Sequence, residues 1–181
     1  MRILVFLADG FEEIEAIIPV DVFRRANIKT VTVSISEISE VIGAHGIVLL
    51  ADSVFSEIKS TEADVLFLPG GMPGTTNLAA HNGLKELLLS KQNTDTKIAA
   101  ICAAPSVLGK LGLLAGKEAI CYPGYEPQLL DAAISEKPVV RDENIFTAKA
   151  AGKSFELAFA LVEALKGKSI ADEIKETIFW R

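Results

Sequence analysis

The chain has 181 residues, half of them apolar and 23% charged, and its 24 acidic against 18 basic side chains leave a net charge of −6. This balance excludes a disordered chain and argues against nucleic acid or an anionic membrane surface as a partner. No apolar run approaches the ~20 residues of a membrane span, no cleavage pattern follows the apolar start, and two cysteines fit a reducing cytoplasm better than a disulfide scaffold.

In chain order, "RILVFLA" (2–8) is a buried strand. An acidic helix start follows in "FEEIEAIIPVDVFRRA", where Pro19 is expected to break or kink the helix. "KTVTVSIS" (29–36) alternates as a strand does, and "SEVIGAHGIVLLADSVF" reads as two short strands about the turn Gly43-Ala44-His45-Gly46. "ADVLFLP" (63–69) is another buried strand and runs into the glycine turn "GGMPGT"; "GLKELLLSKQ" is helical. Lys97 to Ile101 is a short apolar strand that ends at Cys102. Beyond it, Val107, Leu108 and Leu111 mark a helix face, with Pro105 in the first turn, where its missing N–H costs nothing. "KEAICY" is expected to be a strand carrying Cys121 near its end. "PVVRDENIFTA" is a hairpin about Asp142-Glu143-Asn144, and "GKSFELAFALVEAL" a long helix ending at Gly167. Ser169 and Asp172 resemble a capping pair for one last helix.

Strands and helices alternate throughout, and the strands are continuously apolar. That pattern predicts a single α/β domain over residues 1–181, with a mostly parallel sheet covered by helices on both faces. In such folds the active groups gather at the carboxyl ends of the strands. Three segments meet that condition: the Asp9–Glu15 turn, the "LPGGMPG" turn and Cys102. Each has a plain structural explanation. First-turn carboxylates complement a helix dipole, glycines make tight loops, and most free cysteines are small buried hydrophobes. Together they form a different pattern. A thiol at a helix N-terminus faces unpaired N–H groups, so Cys102 is expected to titrate below the free-thiol value of about 8.5. Ala100, Ala103 and Ala104 give the crowded corner the small neighbours it needs. A glycine turn beside the thiol offers free amides, and a protonated carboxyl nearby can donate to the thiolate.

The segments "DGFEEIEAIIPVDVFRRA", "VLFLPGGMPGTTNL", "IAAICAAPSVL" and "GKSFELAFALVEALKGK" resemble the ThiJ/PfpI superfamily, in its DJ-one-like branch, nearly end to end. The resemblance implies a flavodoxin-like three-layer sandwich and a homodimer. It places the oxidisable nucleophile on Cys102, its protonated carboxyl partner on Glu15, and the oxyanion amides on Gly71 and Ala103. Protease-like relatives carry a histidine at or near the residue after the nucleophile; Ala103 stands there, so proteolysis is not expected. The branch also assigns proton transfer in its glyoxalase chemistry to a histidine at the position of Tyr122. Tyrosine, with an ordinary pKa of about 10, is a poor base at neutral pH but a hydrogen-bond donor. The two histidines present, His45 and His81, match no catalytic position.

The glycine loop lacks the Gly-Lys-Ser/Thr ending of a phosphate loop, and the first turn offers carboxylates where a pyrophosphate would need none, so no nucleotide cofactor is expected. No His/Cys cluster has metal-ligand spacing. Two function classes follow. One is oxidative-stress sensing or protection, with Cys102 oxidised by peroxide. The other is a cofactor-free glyoxalase or deglycase, in which Cys102 and Glu15 act on methylglyoxal or its protein adducts. Cys121 is expected to be a buried strand cysteine that does not bridge to Cys102.

Overall fold

The computed structural model describes residues 1–58 and 63–181. Alternation along the first strand, β1 (Arg2–Leu7), shows why the sheet is covered twice. Ile3, Val5 and Leu7 pack into one core cluster, and Leu4 and Phe6 into another. The same division runs through β6 (Val65–Leu68), β7 (Lys97–Ile101) and β11 (Ile145–Ala148), so two separate apolar layers flank one sheet. Helices α1 (Glu13–Arg25), α5 (Ser154–Lys166) and α6 (Lys168–Thr177) cover the first face. Helices α2 (Gly74–Ala80), α3 (Asn82–Ser90) and α4 (Pro105–Lys110) cover the second.

With β2 (Lys29–Ser34), β5 (Ser53–Val54) and β10 (Val139–Asp142), the sheet has the order β10-β11-β7-β6-β1-β2-β5. Every pair is parallel except β10 with β11, the hairpin foreseen about residues 142–144. This is the α/β three-layer sandwich the alternation predicts. The chain leaves β1 in opposite directions, to β2 on one side and β6 on the other. The carboxyl ends of β1, β6 and β7 therefore open at one rim. The second hairpin, β3 (Glu40–Ile42) with β4 (Val48–Leu50), stands outside the sheet. It is stitched to the turn after β1: Gly10 N–H donates to the Ile42 carbonyl at 2.7 Å, and Ile42 N–H to Asp9 Oδ1 at 2.9 Å.

Three local expectations are corrected. Helix α1 is not broken at Pro19: the burial of Ala16, Val22 and Phe23 keeps both halves on the sheet against the loss of one hydrogen bond. "KEAICY" yields only β8 (Glu118–Ala119), which pairs with β9 (Ala133–Ile134) away from the main sheet. The edge of β11 that such a strand would need is already taken by β10. Helix α6 starts at Lys168 behind Gly167, so Ser169 lies inside the first turn and caps nothing; Asp172 pairs instead with Lys168 and Lys175. No described helix is long and apolar enough to cross a membrane.

Phe67, fully buried on β6, meets Phe23 of α1 edge-on with ring centroids 6.0 Å apart. Phe67→Ala should lower stability by about 3–5 kcal/mol, measured as an earlier urea unfolding midpoint.

Candidate active site

Cys102 occupies the corner between β7 and α4 in the left-handed region, φ 62°. For a non-glycine residue that conformation costs about 1–2 kcal/mol. It is held by bonds on both sides: Cys102 N–H donates to the Ala148 carbonyl at 2.9 Å, and the Cys102 carbonyl accepts from Tyr122 N–H at 2.7 Å. The turn lifts the thiol out of the strand toward the loops after β1 and β6.

Those loops pack without room for a side chain. A Cβ on Gly70 would lie 2.7 Å from Glu15 Oε2 and 2.8 Å from Cys102 Cβ; one on Gly71, at φ 88°, would lie 2.3 Å from Glu12 N. Glu15, in the first turn of α1, has no exposure at all. Its Oε2 accepts from Gly70 N–H at 2.8 Å, whereas Oε1 is buried without a partner of normal hydrogen-bond geometry. With Oε2 occupied, Oε1 is the oxygen left to carry a proton. The amides of Ala103 and Gly71 point at the thiol and favour its anion. Cys102, Glu15, Gly71 and Ala103 thus come together at the rim. Tyr122 joins them only through its backbone; its side chain is half-exposed, and its hydroxyl makes no hydrogen bond with the described residues.

The electrostatics correct one expectation. Burial first, then the charge and the hydrogen bond of Glu15, push the Cys102 thiol up to about 12 against the two amides. Helix α4 has only six residues, too short for a dipole that would reverse this. Burial likewise raises Glu15 to about 7. The two groups form one coupled system. The carboxyl gives up its proton first, near 7, and the charge it then carries holds the proton on the thiol. The second leaves near 12, because burial opposes the thiolate and the charge on Glu15 adds to that opposition. When the remaining proton lies on Glu15, its carboxyl stops repelling the thiolate and donates to it instead.

A second cluster lies beside the first. Glu13 is 4% exposed, and its Oε1 accepts from the backbone N–H of His45 at 2.8 Å and of Ile47 at 3.4 Å. Its Oε2 lies 2.8 Å from His45 Nδ1, and Glu12 Oε1 lies 3.7 Å from the same nitrogen. Burial pushes Glu13 up, but the bonds from His45 and the backbone outweigh it and hold the carboxyl below its ordinary range; His45 is raised, chiefly by Glu13. Glu12, Glu13 and His45 form the one group among the described residues whose ligand-type atoms lie within 4.8 Å of one another. Both Glu13 oxygens already accept N–H groups, so the arrangement is a clamp on the hairpin. Sequence reasoning missed it because it treated the 43–46 turn only as a connection. No linear spacing links Glu13 to His45.

The model of the DJ-1/PfpI family matches residues 1–164. The chain belongs to that family. It is 37% identical to protein dj-1beta of Drosophila melanogaster over 173 residues, covering 94% of this chain and 92% of that one. It is 30% identical over 158 residues to the glutathione-independent glyoxalase DJR-1.2 of Caenorhabditis elegans, with 86% and 83% covered. A cysteine-to-alanine mutant of a Salmonella typhimurium DJ-1 superfamily protein superposes with a TM-score of 0.94 at 33% identity, covering 99% of this chain and 98% of that one. The flavodoxin-like sandwich follows from that match.

Cys121 is fully buried in the core cluster on the second face, whereas Cys102 packs against the first. Burial pushes the Cys121 thiol up to about 11. Mild peroxide should therefore take Cys102 to a sulfinic acid without a Cys102–Cys121 disulfide; mass spectrometry of the alkylated protein would reveal a linked peptide pair if this were wrong. Glu15 also sets a pH dependence of stability. Its folded value of about 7 exceeds the ordinary 4.5, so the folded chain keeps a proton that the unfolded chain releases between these values. Stability should fall as pH rises through that window. Glu15→Gln should flatten this part of the curve, measured by urea denaturation at the two ends of the window.

Proposed function

We propose that the chain is a cofactor-free enzyme of the glyoxalase type, converting small 2-oxoaldehydes such as methylglyoxal into 2-hydroxy acids through Cys102. The observation that carries this reading is the coupled Glu15–Cys102 pair with two amides aimed at the same sulfur. It supplies a thiolate without a separate base, and donors where an oxyanion develops. The Cys102 thiolate adds to the aldehyde carbon, and Glu15 returns its proton to the oxygen. A proton then moves from the first carbon to the second, which gives a thioester of the 2-hydroxy acid. Water cleaves that thioester and restores the thiol. Aldehyde and water become hydroxy acid, so no external oxidant or reductant enters. The glyoxalase name of the Caenorhabditis elegans relative supports this reading.

A second reading draws on Tyr122, which stands where the DJ-one-like branch has its proton-transfer histidine. A site without that base can still be oxidised, and the same amides and Glu15 would stabilise a sulfinate. On that reading the protein senses or absorbs peroxide in the cytoplasm. In either case we expect a homodimer. Ile14 and Ile17 of α1 and Val48 and Leu50 of the hairpin are exposed apolar side chains on one pair of neighbouring elements, and a second copy is the partner the family resemblance implies.

Methylglyoxal consumption by wild type and Cys102→Ser separates the two readings. Steady turnover that the substitution abolishes supports the enzyme. Absence of turnover with rapid peroxide modification leaves the sensor. For the enzyme, the rate should rise as pH passes the first proton loss of the pair, near 7. Glu15→Gln should lower kcat about 10²–10⁴-fold and move the rise to higher pH.

A further inference from the structure

We propose that His45, held by Glu13 at the tip of the β3–β4 hairpin, is the group that exchanges protons with the substrate carried on Cys102. The inference rests on the glyoxalase reading above and fills the place that Tyr122 leaves empty. Three observations carry it.

The first is the pairing. Glu13 is buried and accepts from the His45 backbone as well as facing Nδ1 at 2.8 Å. An ionised carboxylate only accepts, so Nδ1 carries the hydrogen and Nε2 is left as the free nitrogen. A carboxylate that fixes a histidine tautomer and orientation is the usual support for an acid–base residue. The second is access: the side chain of His45 is 68% exposed although its partner is 5% exposed. The third is placement. Ala44 N–H donates to the Phe11 carbonyl at 2.8 Å, and Asp9 holds the base of the same tip through the Ile42 N–H at 2.9 Å. Glu12 reaches toward His45 Nδ1 with its side chain, and its backbone N–H donates to the Gly70 carbonyl at 3.0 Å. The next residue, Gly71, presents its amide to the Cys102 sulfur. The tip carrying His45 is thus fastened to the start of α1, which is bonded in turn to the glycine turn that forms one wall of the thiol site.

The step is an isomerisation. Nε2 takes the proton of the first-carbon C–H bond of the hemithioacetal. That electron pair forms the carbon–carbon double bond of an enediolate, and the carbonyl pair of the second carbon moves onto its oxygen. The proton then returns to the second carbon, and the hydroxyl proton of the first carbon passes to the second carbon's oxygen. The product is the thioester, with the same atoms and electrons as the hemithioacetal. The charged groups that face His45 are Glu13 and Glu12, and both raise its affinity for a proton.

The test compares wild type, Cys102→Ser, His45→Ala, His45→Gln and Glu13→Gln with methylglyoxal. His45→Gln should lower kcat about 10²–10⁴-fold while the rate of Cys102 alkylation by iodoacetamide stays unchanged. Added imidazole should restore part of the turnover of His45→Ala, which a merely structural role would not allow. Proton NMR should show His45 titrating above the ordinary histidine value of about 6.5, and Glu13→Gln should lower that midpoint. Unchanged kcat in His45→Gln, alongside inactive Cys102→Ser, overturns this inference and leaves the glyoxalase reading standing. No turnover by wild type, or full turnover by Cys102→Ser, overturns both.

Discussion

A fully buried carboxyl set against a part-buried thiol governs the site. Glu15 has no exposure, and Cys102 sits against it, so the pocket tolerates one negative charge far better than two. Everything nearby serves that balance. Gly70 gives its amide to one carboxyl oxygen and, having no side chain, lets carboxyl and thiol meet. Gly71 and Ala103 turn their amides to the sulfur. The sheet supplies the geometry by ending β1, β6 and β7 at a common rim. Apart, the carboxyl would be an ordinary first-turn glutamate and the thiol a part-buried small hydrophobe.

Most of the architecture was legible because it rests on period and length. Continuously apolar strands such as "VLFLP", separated by helical faces, admit few arrangements other than a doubly covered parallel sheet. What failed was local and depended on tertiary context. Pro19 breaks a helix in isolation but not one pinned to a sheet by Ala16, Val22 and Phe23. "KEAICY" has the composition of a strand, but the sheet edge it would join is filled by β10, which arrives later in the chain. Ser169 has the spacing of a cap but lies one residue inside the helix.

The site divides in the same way. That Cys102, Glu15, Gly71 and Ala103 would meet at one rim was legible from the strand-end turns together with the family resemblance, because each motif pairs a turn with the residue it displays. Their electrostatics were not. The position of Cys102 at a helix start argued for an acidic thiol, whereas burial and Glu15 act in the opposite direction and are stronger. The Glu13–His45 pair was invisible for a different reason. It joins residues 32 apart through a hairpin that only the folded chain brings back over the first turn.

The left-handed backbone at Cys102 has a consequence for how this thiol persists. Glycine adopts that conformation without strain, so exchanging the cysteine for glycine would relieve the corner of its steric burden. On the proposed chemistry, selection for a more robust fold and selection for the thiol pull this position in opposite directions. A lineage that no longer used the reaction would have reason to lose the sulfur here early, while the surrounding sheet and its glycine turn endured. Whether cysteine is retained at this corner across descendants of the fold is therefore a record of whether the chemistry was still in use.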